Sequence, residues 1–144
     1  MRIESLQPEG LAKRSKQPSQ FLEEKAMRVD GTEFGSIAID GKTYQFDVVV
    51  RLSCEVVKRK KKLSKKYYGT SHTISKEEAK FVYEDGCEEL VIGTGHHDNV
   101  RLSKEAAEYF DKKGCKVIAQ PSPHAIGTFN KSRKAKVGLF HVTC

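Results

Sequence analysis

Residues 89–98 read Glu89-Leu90-Val91-Ile92-Gly93-Thr94-Gly95-His96-His97-Asp98. Leu90, Val91 and Ile92 form an unbroken apolar run, which predicts a short strand buried on both faces. The glycines, histidines and aspartate that follow turn its carboxyl end into a polar loop. Two helix-strand units follow this strand and hairpin-like strands precede it.

Downstream, Ser103 is placed to cap a helix whose Leu102, Ala106 and Phe110 recur four apart on one face, with Gly114 as its stop. Cys115 to Gln120 is then a strand. Ser122-Pro123 reads as a second helix start, serine as N-cap and proline in the first helical position, with Ala125, Ile126 and Phe129 as the buried face. Val137 to Val142 closes the chain as a strand. This alternation predicts an α/β domain with a mainly parallel core.

Upstream, Phe34 to Ile39 and Lys42 to Arg51 flank Asp40-Gly41, a hairpin signal in which glycine supplies positive φ. The second run ends in Val48-Val49-Val50, and Glu55 to Val57 adds a strand. Ser75 and Glu78 are spaced as a capping box for a helix reaching about Glu84, with Gly86 as its stop. Residues 1–26, broken by Pro8, Gly10 and Pro18, read as a flexible extension with a short helical turn around Phe21 to Met27. Residues 27–144 read as one domain.

A chain of 144 residues can bury one core without a disulfide or structural metal. Nothing approaches the roughly 18 consecutive apolar residues of a membrane helix, and no secretory h-region opens the chain, so the expectation is a soluble cytoplasmic protein without a membrane partner. Cys54, Cys87, Cys115 and Cys144 include no C-x-x-C pair, and in a reducing compartment read as free thiols. The formal charge of +7 is local: Lys58, Arg59, Lys60, Lys61, Lys62, Lys65 and Lys66 supply seven of 26 basic residues, leaving 19 to balance 19 acids. The chain is a neutral protein carrying one basic segment.

Ligands of open α/β sheets sit beyond the carboxyl ends of parallel strands. Two such ends, Gly93-Thr94-Gly95 and Gln120-Pro121, would bring Thr94, Gly95 and His96 near Ser122 and His124, where free N–H groups at a helix start favour a small anion. A Rossmann fingerprint is absent, because no third glycine follows at the dinucleotide spacing. The competing reading is a tight loop that needs its glycines. His96 and His97, adjacent on extended backbone, point apart and read as solvated rather than as metal ligands. His72 or His141 with Cys144 is a poor nucleophile pair, since the terminal carboxylate raises the thiol pKa. The basic segment could neutralise phosphates non-specifically, but it also suits a solvated hairpin tip or an edge-strand guard.

Phe34-Gly35-Ser36-Ile37 with Asp40-Gly41, Val48 to Val50, Gly69-Thr70-Ser71-His72, Leu90 to Gly95, Pro121-Ser122-Pro123 with Ala125 and Asn130, and His141 to Cys144 together resemble the adipogenesis-associated Mth-domain family, which includes a mitochondrial complex I assembly factor. The likeness spans about Gly31 to Cys144. It implies a mixed central sheet flanked by helices with an added antiparallel β layer, and it brings no catalytic residues, metal or cofactor. Lysines stand where many members carry a tryptophan-bearing segment. The first expectation is therefore a non-enzymatic interaction or assembly module partnered by another protein. A small-anion site at the Thr94 and Ser122 loops, or nucleic-acid association through the basic segment, are the alternatives.

Overall fold

The computed structural model of the protein describes residues 27–143. The expected extension, its helical turn up to residue 26, and Cys144 lie outside them. In chain order the elements are β1 (Val29–Glu33), β2 (Ser36–Ile39), β3 (Lys42–Tyr44), β4 (Val48–Val50), β5 (Val56–Lys58), α1 (Lys62–Tyr68), β6 (Thr73–Ile74), α2 (Lys76–Val82), β7 (Glu89–Gly93), β8 (Arg101–Leu102), α3 (Lys104–Lys112), β9 (Lys116–Gln120), α4 (Ser122–Lys131) and β10 (Lys136–Phe140).

The central sheet runs β9-β7-β10-β4-β5: the first three strands are mutually parallel, and β4 and β5 are added antiparallel. A three-stranded antiparallel sheet, β1-β2-β3, forms the expected additional layer. A mixed sheet flanked by helices in one α/β domain is thus the architecture. Every residue of β4 and β7 is buried, as their solid apolar runs require. Period-two alternation splits them between two cores. Val49, Leu90, Ile92, Val137 and Leu139 face α2 and α3, joined by Ala79, Val82, Ala106 and Phe110. Val48, Val50, Val91 and Phe140 face α4 and the small sheet, joined by Phe129, Ile37 and Ile39. Asn130 ties α4 to β1 through both backbone groups of Val29.

Four local expectations are corrected. The run after Asp40-Gly41 does not continue as one strand: it breaks at Gln45 to Asp47, so β3 stays in the small sheet while β4 enters the central one. The basic segment is not a hairpin tip; it is the end of β5 followed by the short helix α1. Only half of the Ser75–Glu78 capping box forms. Ser75 Oγ accepts from Glu78 N (3.0 Å), but Ser75 N donates to Ser64 Oγ (2.9 Å) and the Glu78 carboxylate is used elsewhere. Ser122 is not an N-cap: Pro121 holds that position and Ser122 begins α4.

Candidate functional site

The strand pairings place Gln120, Gly93, Phe140, Val48 and Lys58 in one row across the central sheet. This row marks the carboxyl end of the parallel strands, and its two ends behave differently.

At the β9-β7 end the two predicted tips do meet, and they lock together. Gly95 N donates to Ser122 Oγ (2.9 Å), whose hydroxyl donates to the carbonyl of His141 (2.7 Å). Ser122 N donates to Gly95 O, Thr94 N to Gln120 O, and His124 N to Pro121 O; Pro123 has no N–H to give. The donors expected to hold an anion at the start of α4 are therefore committed within the fold. A Cβ built on Gly93 would lie 2.8 Å from both Phe140 Cδ1 and Ser122 Oγ, so the contact leaves no room for a side chain. Thr94 is buried and donates to Asp98 (2.6 Å), while His124 is exposed. His96 turns away to Thr32 (3.4 Å) and, like His97, to the exposed ring of Phe34, with centroids 6.0 and 6.4 Å away. Among the described residues no three His, Cys, Asp or Glu side chains gather into a metal-ligand set, and no helix is long and apolar enough to cross a membrane.

At the β5 end stands a feature sequence reasoning missed. Arg59, grouped with the basic segment as an exposed patch, is 3% exposed and belongs to a buried charge cluster. Val57 and Arg59 share a parity along extended backbone, so the chain that turns Lys58 and Lys60 to solvent turns Arg59 inward. Its Nε and Nη2 donate to Glu78 (2.5 and 3.1 Å), its Nη1 to Asp47 Oδ2 (2.9 Å) and Nη2 again to Ser71 O (2.5 Å). The Ser64 hydroxyl donates to the same Glu78 carboxylate. One guanidinium thus joins the residue before β4, the end of β5, α2 and the segment before β6, and α1 is tied in through Ser64 and Glu78, a task suited to its fork of five donors. Burial alone would lower the Arg59 pKa, but Glu78 and then Asp47 outweigh it and raise it. The sequence signal was a single arginine among lysines, in step with an apolar strand.

Asp47 is the other anchor. Its Oδ1 accepts from Val142 N (3.0 Å), and its Oδ2 accepts from His141 Nδ1 (2.6 Å) as well as from Arg59; Lys61 Nζ lies 3.7 Å away. Burial would raise its pKa, yet the hydrogen bond and charge of His141, with Val142 N and Arg59, bring it down to about 2. His141 Nε2 and the Thr143 hydroxyl lie 3.3 Å apart. The ring of His72 lies 5.4 Å from that of His141; burial first, then the charges of His141, Arg59 and Lys61, lowers the His72 pKa.

Against this cluster lies a half-open cleft of about 740 Å³, lined by Phe46, Leu63, Val142 and Thr143 and by Lys58, Lys60, Lys61 and Lys62. Phe46 is 38% exposed. Among the described residues Lys61 alone of these lysines approaches a carboxylate, Asp47, which Arg59 and His141 already satisfy. Lys58 lies over the Phe46 ring (5.4 Å) and Lys60 over Phe81 (4.8 Å), which holds their charges near apolar surface. Lys65 and Lys66, on α1, are exposed beyond the cleft. The arrangement offers an apolar floor, three lysines without a carboxylate partner among the described residues, and the Thr143 hydroxyl.

Residues 29–139 match a family described as a protein of unknown function (DUF498/DUF598). The chain belongs to that family. Its fold is similar to that of the conserved hypothetical protein PH1505 from Pyrococcus horikoshii OT3, with 29% identity and a TM-score of 0.76 over 81% of this chain and 99% of that one. It is also similar to the protein MT938, with 28% identity and a TM-score of 0.72 over 83% of this chain and all of that one. A Xanthomonas campestris protein, XCC1710, shares the fold at 11% identity and a TM-score of 0.64 over 81% of this chain and 85% of that one.

Proposed function

We propose that the protein is a non-enzymatic interaction module of the Mth-domain type, and that its docking site is the lysine cleft beside Arg59. The occupant is an acidic segment of a partner protein that carries an apolar side chain. The observation that carries this reading is the pairing, in one concavity, of a partly exposed Phe46 with Lys58, Lys60 and Lys62, for which no carboxylate partner stands among the described residues, and with Lys61, whose Asp47 is shared with Arg59 and His141. An apolar anchor over the phenylalanine gains by leaving water, and the flanking acids gain from the cations. Purely electrostatic binding to nucleic acid would need no such floor.

A second reading keeps the site and changes the ligand. A volume of about 740 Å³ falls in the range of small-ligand pockets, roughly 300–1,000 Å³, which favours a compact amphipathic anion. Fluorescence anisotropy with a labelled peptide bearing a Phe-Leu pair between glutamates tests the first reading, with an oligoglutamate of equal charge as reference. Binding of the first peptide at least tenfold tighter, persisting at moderate salt, supports it. Equal affinities that both vanish with salt overturn it, and saturable binding of decanoate without the peptide transfers the site to the second reading.

A further inference from the structure

Cys87 and Cys115 stand at the opposite pole of the sheet from the cleft, one residue before Glu88 and Lys116, whose backbones pair as β7 and β9 begin (Lys116 N to Glu88 O, 3.0 Å). Twenty-eight residues apart in sequence, their sulfurs are 3.6 Å apart and both residues are 5% exposed. Cys87 Sγ also lies 3.3 Å from the Glu89 carbonyl and is hydrogen-bonded to the Val137 backbone, and Cys115 Sγ lies 3.9 Å from the Lys116 carbonyl. Cys87 lies two residues before β7 and Cys115 one residue before β9, and a bridge requires their sulfurs to close from 3.6 Å to about 2.05 Å.

We infer that Cys87 and Cys115 form a dithiol modification site, which a small disulfide of the glutathione class converts into an intramolecular bridge between the starts of β7 and β9. Cys87 thiolate attacks one sulfur of oxidised glutathione and expels one glutathione thiolate, which takes up the proton Cys87 lost. Cys115 then gives up its proton and attacks Cys87 Sγ, expelling the second glutathione. The two protein thiols lose two electrons and two protons, and the glutathione disulfide gains them. The order follows from the pair itself: the hydrogen bond from Cys115 lowers the Cys87 pKa against the effect of burial, and the same contact with burial raises that of Cys115. Cys54 is exposed, and among the described residues no second thiol contacts it.

The test uses the full chain with Cys54→Ser and Cys144→Ser, incubated with excess oxidised glutathione under native conditions and read by intact mass. The expected product is two hydrogens lighter, resists alkylation, reverts with dithiothreitol and melts roughly 10 °C higher, because a long loop is closed in the unfolded chain. Adding Cys115→Ser is expected to leave a stable glutathione adduct at Cys87. Adducts on both cysteines without mass loss, or no reaction in the folded protein where the urea-unfolded chain closes readily, overturns the inference. Because the bridge lies at the far pole, peptide binding in the cleft is expected to be unchanged by it.

Discussion

The two ends of one row of residues, Gly93 with Gln120 and Val48 with Lys58, contrast sharply. Both sit at the carboxyl end of the sheet, where α/β proteins place their ligands. At the inner end Ser122, Gly95 and the His141 carbonyl satisfy one another, and Gly93 lets the elements close without a gap. At the outer end a buried Arg59 takes up Asp47 and Glu78, and among the described residues Lys58, Lys60 and Lys62 have no carboxylate partner beside an apolar hollow. Closure and opening have a common cause: polar groups that saturate each other make a wall, and charges left over make a surface.

The largest effect is expected from removing the outer wall. Arg59→Met removes the charged partner of the buried Glu78 and one of the partners of Asp47 and is expected to cost about 3–5 kcal/mol in urea denaturation. Lys60→Met, one residue on, should stay within about 0.5 kcal/mol, since its ammonium group is not buried. Equal effects from the two would erase the distinction between anchor and rim.

Acid attacks the same wall through Asp47. Its pKa falls from about 3.9 in the unfolded chain to about 2 when folded. A carboxylate with a depressed folded pKa contributes stability that is fully present above the unfolded value and is lost as pH falls through the folded one. Roughly 2 kcal/mol should therefore disappear between about pH 4 and pH 2, and Asp47→Asn should flatten that part of the stability profile.

The inner end is sharpened by Gly93→Ala and Ser122→Ala. The first forces a methyl group against Phe140 and Ser122 and is expected to cost about 1–3 kcal/mol. The second leaves Gly95 N without its acceptor and should cost about 1–3 kcal/mol. Neither should change peptide affinity in the cleft. The smallest stability effect is expected from Lys58→Glu with Lys62→Glu, within about 0.5 kcal/mol of wild type, while peptide affinity falls at least tenfold in anisotropy titrations.

Much of the frame was legible in the chain. The apolar runs of β4 and β7, the Asp40-Gly41 turn with φ of 50° and 79°, and the serine cap at Ser103, whose Oγ accepts from Ala106 N, follow from local chemistry acting over a few residues. The adjacency of the β7 and β9 tips was legible as well, from the helix between them. What lay hidden depends on distant partners. Ser122 reads as a cap until the His141 carbonyl and Gly95 N claim its hydroxyl. Glu78 reads as half of a capping box until Arg59, 19 residues earlier, takes its carboxylate. Arg59 reads as one more cation because charge counts ignore direction, and only strand parity separates it from Lys58 and Lys60.

The most direct test of the contrast is an NMR titration of isotope-labelled protein with the acidic Phe-Leu peptide. Shifts confined to Phe46, Lys58 to Leu63 and Thr143, with Thr94 to His97 and Ser122 to His124 unmoved, are the expected result. Shifts centred on the Gly95 and Ser122 tips, with the lysine cleft silent, would contradict it.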